Sequence, residues 1–171
     1  RKLVGKVNLA AAYIALSSWQ EAENILHEIE LECRSNSYQL LLGNCLELQA
    51  QIAIFNGHYD LATNHLSRAR ELLIEQGGLY LLFVDKWSVL VNCLKSNSSE
   101  NLQAIEKLRQ RAFELKHWGT IRECDLFLSI LNRDEELLKR VIIGTPSEHY
   151  RQRARSLFGT KIISSGTFKL Y

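Results

Sequence analysis

Methionine is absent from the 171 residues, and proline occurs once, at Pro146. So little proline leaves almost the whole chain free to run as unbroken helix. No apolar run approaches the roughly 18 residues of a membrane span, so no spanning helix and no membrane partner is expected. The signatures GxSxG, GxxxxGK[ST], HExxH and GxGxxG are all missing, which removes the common hydrolase, nucleotide-binding, zinc-protease and dinucleotide readings. The chain therefore reads as a non-enzyme with no cofactor. Cysteine is sparse: Cys33, Cys45, Cys93 and Cys124 lie 12, 48 and 31 residues apart, which fits neither a CxxC pair nor a metal knuckle. Each sits on the apolar side of a helical pattern, as reduced buried thiols of a cytoplasmic protein do. The histidines are scattered. His58 and His65, seven apart, could share a helix face, but the further ligands of a metal site are missing. Trp87 and Trp118 are expected in the core. The chain opens on Arg1 with no signal peptide, and it is read as a piece of a longer regulatory protein.

What is present is helical periodicity. A composition of 46% hydrophobic and 23% charged residues suits one ordered globular domain. The organising stretch is Ser17 to Arg34, in which Ala22, Ile25, Leu26, Ile29 and Cys33 mark one helix face. Ser18 and Glu21 have the spacing of a capping box. Helices are expected over Leu3–Leu16, Trp19–Arg34, Tyr38–Phe55, Tyr59–Gln76, Leu79–Leu94 and Asn101–His117. A second capping box at Thr120–Glu123 opens a seventh helix, and a third at Asn132–Glu135 opens an eighth. A fourth at Thr145–Glu148, with Pro146 at the first helical position, opens a ninth that ends near Phe158–Gly159. Residues 160–171 read as a short hairpin or an extended arm. The organisation is a helical repeat domain over 3–143, a capping helix over 144–159 and a tail, or the start of a further domain, over 160–171.

The chain also repeats itself. SSWQEAENIL at 17–26 matches NGHYDLATNHL at 56–66, and SSENLQAIEKL at 98–108 is a weaker copy. The small anchors Ala22, Ala62 and Ala104 lie 40 and 42 residues apart and are expected at helix crossings, with Trp19 and Tyr59 packed beside them. Leu9, Ala10 and Tyr13 precede Trp19, Ala22, Leu26 and Ile29; Ala50, Gly57, Tyr59, Ala62, Leu66 and Ala69 recur in the second copy. On these residues the chain resembles the tetratricopeptide repeat family, with a spacing longer than that family's period of about 34 residues. The resemblance covers about residues 3 to 143. It implies an all-α solenoid of about four antiparallel helix pairs, with the first helix of each pair lining a concave face.

Carried over by position, that face takes Asn8 from the first pair, Asn44, Glu47 and Gln51 from the second, Lys86 from the third and Arg122 from the fourth. The implied function is a protein or peptide interaction module; self-association would use the same surfaces. Asn44, Glu47 and Gln51 form a polar stripe at helical spacing, either a solvated face or a hydrogen-bonding surface for a partner. A second reading, ranked below the first, is a ligand-sensing or nucleic-acid-contacting segment of a bacterial transcription regulator. It rests on charge. Residues 139–171 carry seven basic side chains against Glu148, leaving −4 on the remainder of a chain of net charge +2. Arg151, Arg153 and Arg155 are its candidate phosphate contacts.

Overall fold

A computed structural model of the chain describes residues 2–96 and 98–144. The described residues are all helical: α1 Lys2–Ala15, α2 Trp19–Asn36, α3 Gln39–Phe55, α4 Tyr59–Leu73 with a 3-10 extension Ile74–Gln76, α5 Gly78–Lys95, α6 Ser99–Glu114, α7 Trp118–Leu131 and α8 Glu135–Gly144. No described helix is long and apolar enough to cross a membrane. The ninth helix, the tail and the arginines at 151, 153 and 155 lie outside the described residues.

One backbone device joins most of the helices. A single residue in the left-handed region, Ser17, Ser37, Gly57, Lys116 or Arg133, ends one helix at φ between 55° and 76°. The next residue then donates its amide five residues back: Ser18 to Tyr13, Tyr38 to Cys33, His58 to Ala53, His117 to Ala112 and Asp134 to Ser129, at 2.8–3.0 Å. Those are the closing bonds of a Schellman turn. The same residue's carbonyl accepts the first bond of the following helix, from Ala22, Leu42, Ala62, Ile121 and Leu138 respectively. One residue thus closes one helix and opens the next. Ser18, Tyr38 and His58 are 20 residues apart, which makes a helix pair 40 residues long and accounts for the first repeat spacing. Of the five left-handed positions only Gly57 is free of the Cβ penalty.

Side chains contribute less to capping than the sequence suggests. Ser18 makes no side-chain cap bond. The seventh helix starts at Trp118, two residues ahead of Thr120, because His117 Nδ1 accepts the Thr120 amide at 3.2 Å. The eighth is capped by Asp134, whose carboxylate accepts the Leu137 amide at 2.9 Å, rather than by Asn132.

The chain divides into two compact units, Arg1–Val91 and Asn92–Tyr171, with the division inside α5. In the first unit α1 packs on α2 and α3, α2 on α3, and α3 on α4. Its core joins Ala10, Ile14, Ala22, Leu26, Ile29, Cys33 and Cys45, with Trp19 and Phe55 packed against it. Those two rings stack at 5.0 Å, and Phe55 meets Trp87 edge-on at 6.2 Å. Gly43 of α3 lies against the Leu73 side chain of α4: a Cβ there would fall 2.6 Å from Leu73 Cγ. In the second unit α6 packs on α7 and α7 on α8, with Leu126, Ile130 and Val141 in a small core.

Ala22 and Ala62 are fully buried, as the repeat register requires. Ala104 is only half-buried. The inward residues of α6 are Ile105, Leu108 and Ala112, spaced as Leu26, Ile29 and Cys33 are on α2. The third copy is therefore displaced from the alignment made on Ala104, and Asn101 occupies the place of Ala22. Asn101 is kept there by polar contacts: its side chain donates to the carbonyls of Asn92 and Ser96 at 3.2 and 2.6 Å, and its own carbonyl accepts from Cys93 Sγ at 3.7 Å.

Candidate functional site

The six residues expected on a concave face do not share one environment. Glu47, Gln51 and Lys86 are buried, Asn44 is half-buried, and Asn8 and Arg122 are exposed. The structure brings together Glu47 and Gln51, one turn apart on α3, with Gln51 Nε2 donating to Glu47 Oε1 at 2.8 Å. The polar stripe is thus an internal one along α3, a helix buried on nearly every side. Lys86 Nζ lies 4.7 Å from the centroid of the Trp87 ring and 5.6 Å from that of Phe83, cation–π geometry in a dry setting. Among the described residues the buried polar side chains all lie on α3, α5 and α7. The even-numbered helices α2, α4 and α6 instead carry a single buried stripe and a polar outer face.

The surface has its own feature at the α6–α7 turn. Phe113, Leu115 and Trp118 are 56%, 38% and 60% exposed, and the two rings meet edge-to-face at 6.1 Å and 89°. Trp118, expected in the core, is therefore a surface residue, whereas Trp87 is 1% exposed. Trp118 is the first residue of α7, directly after the His117 cap.

A cavity of about 210 Å³ opens between α2, α3 and α4, lined by Glu23, Gln49, Ile52, Ala53, Asn56, His58, Leu61 and His65. The two histidines singled out in the sequence thus meet in one cavity. No group of three His, Cys, Asp or Glu among the described residues could hold a metal ion. Gln49 is fixed by Glu30: its Nε2 donates to Glu30 Oε2 at 2.8 Å, while Glu30 Oε1 accepts from Arg34 at 2.6 and 3.0 Å. Burial pushes the Glu30 carboxyl up, but the bonds from Gln49 and Arg34 outweigh it and hold the carboxyl below its ordinary range. Gln49 Oε1 and His65 Nδ1 are buried with no hydrogen-bond partner. Desolvation lowers the His65 pKa below its usual 6.5, so the ring is neutral near pH 7. A wider groove of about 410 Å³ runs past Lys2, Val4, Glu32, Tyr38 and Leu41, and no such orphaned atom lines it.

The thiols are held away from the thiolate form where burial is deepest. All four cysteines are buried and none is in a disulfide. Burial pushes Cys45 up to about 12 and Cys93 up to about 11, so both stay protonated at neutral pH. Cys45 Sγ donates to the Leu26 carbonyl at 3.2 Å, tying α3 to α2. A scan against protein-family models finds no match to this chain, and neither a search of curated proteins nor one of solved structures finds any.

Proposed function

We propose that the chain is a tetratricopeptide-like helical repeat that binds a protein or peptide segment and performs no catalysis of its own, within a larger regulatory protein. The observation that carries this reading is the Phe113–Leu115–Trp118 cluster. Aromatic side chains that stay more than half exposed shed that water against a partner; Phe and Trp are enriched in interface cores, and Trp is among the residue types that dominate binding energy there. The 40-residue recurrence of buried stripes and the repeated turns support the solenoid-type arrangement. Buried, protonated thiols favour binding over chemistry. The nucleic-acid reading rests on arginines outside the described residues, and no structural observation favours it.

The test is capture of partners by the chain and by the Phe113→Ala/Trp118→Ala variant, each with its melting curve. The variant is expected to stay folded and lose partners that the native chain retains. A folded variant that keeps every partner contradicts the proposal. Alanine substitution of Asn44, Glu47 and Gln51 is the weaker test, because two of those side chains are buried.

A further inference from the structure

After Lys2, every exposed residue of α1 is uncharged. Val4 and Leu9 are 48% and 46% exposed, and Leu16, just past the helix end, is 73% exposed. Gly5, Asn8, Ala11 and Ala12 are exposed on the same side, opposite the buried Leu3, Ala10 and Ile14. Lys6 is turned aside to Glu28 of α2, at 2.8 Å. The exposed side of α2 is different: it holds Glu21, Glu23, His27, Glu28 and Glu32, the usual composition of a helix face in water.

The repeat shows what covers such a face. Tyr13 and Ala53 accept the same closing bond, and Ala22 and Ala62 make the same opening bond, so each residue of α1 maps onto α3 by adding 40. Gly5, Asn8 and Ala12 then correspond to Cys45, Leu48 and Ile52. Those three are buried in a core shared with Ala22, Leu26, Ile29 and Cys33 of α2. Cys45 is also bonded to the Leu26 carbonyl, and Gln49, the counterpart of Leu9, is bonded to Glu30. The face of α3 that packs on α2 is thus the face that stands open on α1, where a Cβ added at Gly5 would meet nothing within 4 Å.

We infer that this face of α1 is a docking site for one amphipathic helix from outside residues 1–171, which packs on α1 as α2 packs on α3. The occupant carries a narrow apolar stripe like that of Ala22, Leu26, Ile29 and Cys33. Leu9 stands where α3 has Gln49, so the occupant has an apolar residue where α2 has Glu30. Asn8 stands where α3 has Leu48 and calls for one polar group on the seam. Docking removes Val4, Leu9 and Leu16 from water together.

The probe is a blocked peptide with the sequence of residues 18–37 carrying Glu30→Leu. It is titrated into the 171-residue chain while the methyl resonances of Val4, Leu9 and Leu16 are followed by NMR. The peptide is expected to shift them saturably, to gain helicity by circular dichroism, and to bind roughly tenfold tighter than the same peptide with native Glu30, the worth of one partly buried leucine. Leu9→Glu, an exposed change, should abolish the Val4 and Leu16 shifts with the melting curve unchanged. Leu61→Glu, on the exposed face of α4, should leave them in place. Absent shifts, or equal binding of the two peptides, overturn the inference. Shifts that persist in Leu9→Glu also overturn it, by showing the peptide exchanging with α2 itself. A chain that dimerises without peptide, through contacts that Leu9→Glu removes, overturns it as well, because a second copy is then the occupant. None of these failures touches the role of Phe113 and Trp118.

Discussion

Helix α3 and the α6–α7 turn invert the usual partition of side chains in opposite ways. On α3, Glu47 and Gln51 are buried; at the turn, Phe113 and Trp118 are exposed. The α3 pair is tolerable because its members satisfy one another, with Gln51 donating to Glu47 at 2.8 Å, so burial does not strand a charge-bearing group without contacts. The aromatic pair is tolerable because each ring covers part of the other. The first inversion serves the fold, since α3 is packed by α1, α2 and α4 and has no free face to which a polar residue could turn. The second leaves Phe113 and Trp118 more than half exposed even though the rings pack on each other. Polarity on an inner helix and apolarity on a turn are thus opposite departures from the usual partition, and the proposed function rests on the second.

The comparison can be broken at several points. The largest effect is expected at Leu46, fully buried on α3: Leu46→Ala should cost about 2–5 kcal/mol by cavity formation, measured by chemical denaturation. Trp118→Ala should cost less than about 1 kcal/mol in the same assay, since it removes one exposed edge-to-face pair. A loss at Trp118 as large as that at Leu46 would mean that the turn is structural. Next comes Gly43→Ala, whose new Cβ would press on Leu73, itself 1% exposed; the cost is about 1–3 kcal/mol. Shortening the neighbour in the Gly43→Ala/Leu73→Ala pair should give less than the sum of the single losses. Gln51→Ala should cost about 1–3 kcal/mol by leaving a buried carboxylate short of a donor, whereas Gln20→Ala on the exposed face of α2 should fall within about 0.5 kcal/mol.

Smaller effects sharpen the account. Ser37→Gly and Lys116→Gly relieve a left-handed backbone and should each stabilise by up to about 1 kcal/mol, while Gly57→Ala should destabilise by about 1–2 kcal/mol. His65 supplies a pH dependence. Its folded pKa lies below 6.5 chiefly through desolvation, with Glu30 raising and Arg68 lowering it to lesser degrees, so the unfolded chain binds the proton more readily. This contribution is present in full above about pH 6.5 and is lost as pH falls from there through the lower folded pKa. His65→Gln should flatten the melting temperature between about pH 8 and pH 5.

Helices α2 and α4 were legible because each has one buried stripe, Ala22, Leu26, Ile29 and Cys33 on α2 and Ala62, Leu66, Ala69 and Leu73 on α4; on α6 the stripe is Ile105, Leu108 and Ala112, and the reading on Ala104 missed it by one residue. Helix α3 was legible as a helix but not as an interior one. Asn44, Glu47 and Gln51 at helical spacing read alike whether they face water or one another, and the choice depends on how many neighbours surround the helix. Trp118 was misplaced because it was read, with Trp87, from the usual burial of tryptophan, which does not tell a ring at a helix start from one in mid-helix; the start itself was read from Thr120 and Glu123, while the cap is His117, a residue type whose capping bond has little sequence signature. Gly43 went unnoticed, although an isolated glycine inside an apolar helical run hints at close approach. That Gln49 and His65 line one cavity had no local signal at all, since the two lie on different helices that are brought together only when α3 and α4 pack.

The three tryptophans allow the central claim to be tested in one spectrum. Fluorotryptophan labelling places a fluorine reporter at half-buried Trp19, at Trp87 with 1% exposure and at Trp118 with 60% exposure. Fluorine NMR of the labelled chain, recorded before and after addition of a captured partner, should show the Trp118 resonance moving and losing its solvent sensitivity while that of Trp87 holds. A partner that binds and leaves the Trp118 resonance unchanged would contradict the account.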